Sequence, residues 1–239
     1  MRSYYALSVQ FRYYGPLPEF TEVRSGHVFA TLGNRVADVT RWKNPPHEWL
    51  ANRSTHERND DGALIPASSG GLVDPKAVAI FVKTYGALFG APAETNREFW
   101  EDTARFAAAI ERVRSAWRGD ESAIKEMEEQ VESALELSPS ITAQGIELVS
   151  ENLWSFTCAL FLRDRSLGKT KICASASCKN PYFLERRKGQ IFCSHVCAVR
   201  ENVRRFRQSA AGGADPERKK LMHSKRVRRP NHHGAGKTR

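Results

Sequence analysis

The sequence predicts a mainly α-helical protein with a small β portion: a helical N-terminal domain, a small treble-clef-like zinc finger and a disordered basic tail. Three observations carry this reading. Apolar residues recur at steps of three and four through much of residues 74–160, the period of an amphipathic helix. Four cysteines fall in two close pairs between residues 173 and 197. The charge also changes sign along the chain. Residues 1–162 hold 16 Lys and Arg against 22 Asp and Glu, whereas residues 163–239 hold 21 against 5. A section so basic has a polyanion, most often nucleic acid, as its usual partner.

The 239 residues are 41% hydrophobic, enough to fill a core and to exclude wholesale disorder. No run approaches 18 apolar residues, and the start, MRSYYALSVQF, lacks the apolar stretch of a secretory signal. A cytoplasmic protein with no membrane partner is expected.

The elements follow in order. Tyr4 to Tyr14 reads as a strand ending at Gly15-Pro16. Val28 to Val39 reads as a second strand, or as a strand pair turning at Gly33-Asn34. Residues 52–71, rich in Asn, Asp, Ser and Gly, read as a loop. Asp74 and Pro75 open a helix over the apolar stretch Ala77 to Phe89, closed by Gly90. Thr95 and Glu98 have the spacing of a capping box. The stripe behind it, Phe99, Thr103, Phe106, Ile110, Val113 and Trp117, marks a second helix ending near Gly119. Asp120 opens a third, with Ile124, Met127, Val131 and Leu135 inward and Ser138-Pro139 as its break. A fourth is expected to carry Ile146, Val149, Leu153, Phe156 and Leu160. The N-terminal domain then spans residues 1–165, the cysteine-rich module 166–209 and the tail 210–239.

The cysteine spacing is Cys173-x4-Cys178, fourteen residues, then Cys193-x3-Cys197. Zinc prefers four soft, deprotonated ligands in a tetrahedron, and two short cysteine pairs can each wrap one edge of it. One structural Zn2+ held by Cys173, Cys178, Cys193 and Cys197 is the expected cofactor. Four thiolates leave no open position for a reacting water. The residues between the pairs suffice for a hairpin turning at Arg187-Lys188-Gly189-Gln190. The second pair opens a helix with an apolar stripe of Val196, Val199, Val203 and Phe206. Arg200, Arg204 and Arg207 form a basic stripe beside it.

Residues 171–207 resemble the CGNR-type zinc finger of bacterial proteins, which follows a mainly helical domain called ABATE. The matching residues are Cys173, Cys178, Tyr182-Phe183, Arg186-Arg187, Phe192-Cys193-Ser194, Cys197, Arg200, Arg204, Arg205 and Arg207. The resemblance implies a DNA-binding finger in a transcription regulator. The chain departs from the pattern after its last cysteine, where Ala198-Val199 stands in place of Gly-Asn. Arg186, Arg187 and Lys188 would then contact phosphates from the turn. Arg200, Arg204, Arg205 and Arg207 would present a basic helix face, and the Lys219 to Arg229 stretch would add sequence-independent attraction. One finger reads few base pairs, so a homodimer would sharpen specificity.

Other candidates are weaker. Cys158 lies in an apolar helical stretch and reads as a buried, inert thiol. His195 reads as a surface residue, because four thiolates are already present. His47 and His56 also read as surface residues, since the sequence offers nothing to orient them as bases. The stretch 179–192 contains no histidine of the kind a treble-clef nuclease needs, and no catalytic motif is present, so an enzyme is not expected. Trp42, Trp49, Trp100, Trp117 and Trp154 read as core, and His232-His233 falls short of a metal site. A small-molecule effector pocket among the N-terminal helices has no named residue to carry it. The alternative readings are a structural finger for protein–protein or RNA contact and, further off, a nuclease-type enzyme.

Overall fold

The computed structural model describes residues 9–13, 16–24, 27–36, 42, 44–58, 64–66, 71–89, 98–134, 140–142, 145–150 and 153–212. Among these residues the protein is mainly α-helical with a smaller β portion. The chain divides into two units, Met1–Cys193 and Ser194–Arg239.

The first unit is built on five helices: α1 (Pro46–Ala51), α2 (Pro75–Tyr85), α3 (Thr103–Arg118), α4 (Glu121–Ala134) and α5 (Leu153–Ser166). Helix α5 is central. Leu153 through Cys158, then Leu160, Phe161 and Asp164, are all buried, so it is covered on nearly every side. Around it Phe81, Phe106, Phe156, Phe161, Leu50 and Ile110 are fully enclosed. Aromatic rings meet edge to face through this core: Phe81 lies 5.0 Å from both Trp49 and Phe106. Of the tryptophans expected in the core, Trp49, Trp117 and Trp154 are buried and Trp42 packs at its margin. The side chain of Trp100 lies outside the described residues. Cys158 is enclosed on α5, and burial pushes its thiol well above the usual range.

Four small sheets decorate the helices. β1 (Val9–Tyr13) runs parallel to β9 (Gly145–Ser150), which also pairs with β8 (Ser140–Thr142). β3 (His27–Val36) lies between β2 (Pro16–Arg24) and β7 (Glu98–Asp102), antiparallel to both. β4 (Thr55–Arg58) lies between β5 (Leu64–Pro66) and β6 (Leu72–Val73). β10 (Thr170–Ile172) and β11 (Tyr182–Leu184) form a two-stranded antiparallel hairpin.

Several local expectations need correction. Residues 52–71, read as a loop, contain β4 and β5. Of the two readings for Val28 to Val39, the single strand holds: β3 continues through Gly33-Asn34 without reversing, though its pairing with β2 skips these two residues in an irregularity between Leu32 and Arg35. Helix α2 stops at Tyr85, and Gly86, at φ 103°, closes it; Ala87 and Leu88 are buried beyond its end, and Gly90 lies outside the described residues. Helix α3 starts at Thr103 rather than behind Thr95. Residues 98–102 pair with β3, and the Asp102 carboxylate takes the N–H groups of Ala104 at 2.7 Å and Arg105 at 3.3 Å. Thr95, Leu135 and Ser138-Pro139 lie outside the described residues. Ile146 and Val149, expected on the fourth helix, belong to β9, and α5 begins only at Leu153. The apolar spacing there fits both periods, and pairing with β1 settles it as a strand.

The second unit contains α6 (His195–Gly212). Residues 213–239, which hold the Lys219 to Arg229 stretch and His232-His233, lie outside the described residues.

Candidate metal centre

The sulfur site is assembled from short backbone bonds around the β10–β11 hairpin. Directly after β10, the Cys173 N–H donates to the Pro181 carbonyl at 2.7 Å and closes the loop that carries the first pair. Inside that loop the Cys178 N–H donates to the Ser175 carbonyl at 3.0 Å. The Ala174 N–H reaches the Ile191 carbonyl at 2.9 Å, which draws the segment leading to Cys193 alongside. The Cys193 N–H then points at the Cys173 sulfur, 3.5 Å away.

The Cys178 and Cys193 sulfurs lie 3.5 Å apart. A disulfide would need about 2.05 Å. Four thiolates each about 2.3 Å from one tetrahedral ion would lie about 3.8 Å from one another. The sulfurs of Cys173, Cys178, Cys193 and Cys197 all lie within 4.8 Å of one another. The four residues therefore form a cluster of metal-ion dimensions that can hold one ion, as the cysteine spacing predicts.

The hairpin carrying this loop is fastened to the helical body of the same unit. Asn52, at the C-terminal end of α1, reads the backbone of Tyr182 on both sides. Its Nδ2 donates to the Tyr182 carbonyl at 2.7 Å, and its Oδ1 accepts the Tyr182 N–H at 3.2 Å. Nδ2 also donates to the Glu48 carbonyl at 2.9 Å. From the last turn of α3, the Trp117 indole N–H donates to the Lys171 carbonyl at 3.0 Å, and its ring meets that of Tyr182 at 5.9 Å. Phe183 is buried, and Tyr182 and Leu184 pack against the core.

The expected turn at residues 187–190 is present, but the hairpin strands are not the segments on either side of it. The strand paired with β11 is β10, which precedes Cys173. The turn is held instead by Glu185. Its carboxylate accepts the Gly189 N–H and, at 3.3 Å, the Gln190 N–H. Gly189 sits at φ 81°, a conformation that favours glycine. Arg186, Arg187 and Lys188 are exposed on this turn.

Helix α6 supplies the last sulfur. Ser194 precedes it, its hydroxyl accepting the Cys197 N–H at 3.3 Å and its carbonyl accepting the Ala198 N–H at 3.2 Å. Cys197 thus sits in the first turn, where the helix dipole favours a negative sulfur. His195 is exposed and is not one of the four clustered ligands. The basic residues of the helix differ in their commitments. Arg204 donates twice to Glu201, at 2.5 and 2.9 Å, and Arg205 once, at 3.3 Å. The hydrogen bonds and charge of Arg204, and then of Arg205, hold Glu201 below the usual carboxylate range. All of Arg200, Arg204, Arg205 and Arg207 are exposed. So are Val196 and Phe206, at 62% and 72%, and to a lesser degree Val199 and Val203.

Two features escaped the sequence reading. His47 is not a surface residue but fully buried on α1, between the rings of Trp117 and Phe161. Its Nε2 lies 3.3 Å from Asp164 Oδ2, in an alignment that leaves both ring nitrogens without a hydrogen bond. Burial lowers its pKa. The spacing of His47 to Leu50 and Ala51, three and four residues on, is the signal that places it on the inward face. Asn52 is the other omission, because a helix-ending asparagine shows its neighbours but not a partner 130 residues away. The side chain of His56 lies outside the described residues.

Comparison with known protein families and with curated proteins finds no family and no protein that matches this chain.

Proposed function

We propose that the protein is a structural-zinc protein that binds nucleic acid, duplex DNA first, as a bacterial cytoplasmic regulator of transcription. The observation that carries this is the four-sulfur cluster in a strongly basic part of the chain. Thiolate-only donor sets suit zinc, and four of them fill its tetrahedron, so the ion's role is to hold backbone in place rather than to activate water. In this reading the protein is not an enzyme. Arg186, Arg187 and Lys188 on one turn and Arg200, Arg204, Arg205 and Arg207 on α6 are exposed cations that would meet phosphates. Arg204 and Arg205 share their charge with Glu201 and would contribute less each. The resemblance to CGNR fingers behind an ABATE-like domain supports the same function.

The test joins metal analysis to binding on the full chain. One zinc per chain is expected, falling towards zero in Cys178→Ser. A labelled genomic-fragment pool should be retained by the parent and released by moderate salt. A protein with stoichiometric zinc that retains no DNA at low salt would refute the nucleic-acid half of the proposal.

A second reading has its own observation. Val196, Val199, Val203 and Phe206 line one side of α6 and are exposed, and an apolar stripe of that kind is often covered by protein. A finger that binds another protein would show stable co-purification and no DNA retention.

A further inference from the structure

A cleft of about 280 Å³ opens in the first unit beside α1, where β11 and the Glu185–Gln190 turn lie along the helix. That volume is near the lower end of small-ligand pockets, about 300–1,000 Å³. Most of its polar lining is already committed. Asn52 spends its amide on Tyr182 and Glu48. Gln190 accepts the Arg186 N–H at 3.1 Å and donates to the Phe192 carbonyl at 2.8 Å. The Glu48 carboxylate is drawn to the Leu184 backbone and the charge of Arg186.

The two guanidinium groups are different. The Arg53 guanidinium lies over the Trp49 ring, 4.0 Å from its centroid, and its buried Nε has no hydrogen-bond partner among the described residues. Arg186 lines the same cleft, and its side chain makes no hydrogen bond among the described residues. A buried donor left unmet is costly, and buried polar groups nearly always have partners. Arg53 and Arg186 face one committed carboxylate, Glu48, and the lining ends at Cys193, whose sulfur belongs to the four-cysteine cluster. Two guanidinium groups on one cleft, one of them placed over an indole, suit a planar or tetrahedral oxyanion.

We propose that this cleft is a binding site for a small organic anion, whose carboxylate or phosphate group is taken by Arg53 and Arg186. The site borders the sulfur cluster at Cys193 but uses none of the four sulfurs to take the anion. The proposal does not depend on nucleic-acid binding: Arg186 serves in both readings, but Arg53 and the cleft belong to this one alone. An anion seated there would touch both α1 and β11, so its binding would tighten the hairpin against the helical body.

The test is calorimetric titration of the zinc-loaded full chain with citrate, inorganic phosphate and adenosine monophosphate, alongside melting curves. At least one should bind saturably and raise the melting temperature. Arg53→Met should weaken that binding tenfold or more at unchanged zinc content. Arg186→Gln, a change at an exposed position, should weaken it severalfold and serves if the Arg53 variant folds poorly. Arg207→Gln on α6 should leave it unchanged. The proposal is overturned if none of the three anions binds saturably, even where duplex DNA does. It is also overturned if both cleft variants bind as the parent does, or if Arg207→Gln reduces binding as much as they do. Loss of DNA retention with intact anion binding would refute the nucleic-acid function and leave this site standing.

Discussion

Buried ionisable side chains give single residues of this protein measurable consequences. His47 is enclosed, and burial lowers its pKa, so the folded state resists a proton that the unfolded chain accepts near pH 6.5. Stability should therefore be full above that pH and decline as pH falls through it, by at most about 1.4 kcal/mol per pH unit. Asp164 adds to this at lower pH. Burial alone would raise it, but His47 and Arg163 hold it below the usual range, so its contribution is lost on further acidification. Glu101 works the other way. It is buried while accepting the N–H groups of Leu88 and Phe89, and burial pushes its pKa up to about 7. The folded state keeps that proton where the unfolded chain has lost it, so stability falls as pH rises from about 4.5 to 7, by on the order of 3 kcal/mol in total. Two variants separate the opposing slopes. His47→Gln should flatten the acid-side decline, and Glu101→Gln should lose the decline between about pH 4.5 and 7. Both are read as melting temperature against pH.

At the scale of elements, the clamp between Asn52 and Tyr182 fixes β11 to the end of α1. Asn52→Ala leaves a backbone N–H and a carbonyl unmet, at about 1–3 kcal/mol each where they are desolvated. Helical circular dichroism should stay close to the parent's, while zinc loss to a competing chelator should quicken about tenfold, the scale of other outer-layer effects on metal sites. Helix α3 shows how far sequence patterning reaches. Its stripe of Phe106, Ile110, Val113 and Trp117 is buried as its spacing predicts, and Gly119 closes it. Its start was misplaced because Phe99 and Trp100 extend the apolar pattern backwards through a strand. That strand owes its existence to β3, a partner nearly seventy residues earlier that no local pattern reveals. The strand at 145–150 was lost for the same reason: its pairing with β1 spans most of the first unit's sequence. The four sulfur ligands were legible because two close cysteine pairs at short range have few other uses. Asn52, Arg53 and His47 were not, since their roles come from what the fold places beside them.

At the scale of the whole molecule, the uneven charge sets the expected behaviour in solution. If the exposed cations meet phosphates, the logarithm of DNA affinity should fall steeply and linearly with that of salt, with a slope near −0.9 for each phosphate neutralised. Changing Arg200 and Arg204 together to Ala should lower affinity roughly tenfold and make the salt slope shallower, with zinc content unchanged. Filter binding over a salt series measures both quantities. No helix among the described residues is long and apolar enough to cross a membrane.

The seating of the β10–β11 hairpin has one more outcome. Cys173, Cys178 and Cys193 belong to a segment whose backbone is hydrogen-bonded to Asn52 and Trp117 on the helical core. Stripping a bound ion should therefore leave this segment, which those bonds help the ion to hold, more ordered than a free-standing finger would be. Little of a bound ion's affinity would then be consumed in ordering chain, and the ion-free protein would be a ready chelator for a returning metal ion. Occupancy would follow the surrounding pool of free metal reversibly, over repeated cycles of depletion and supply.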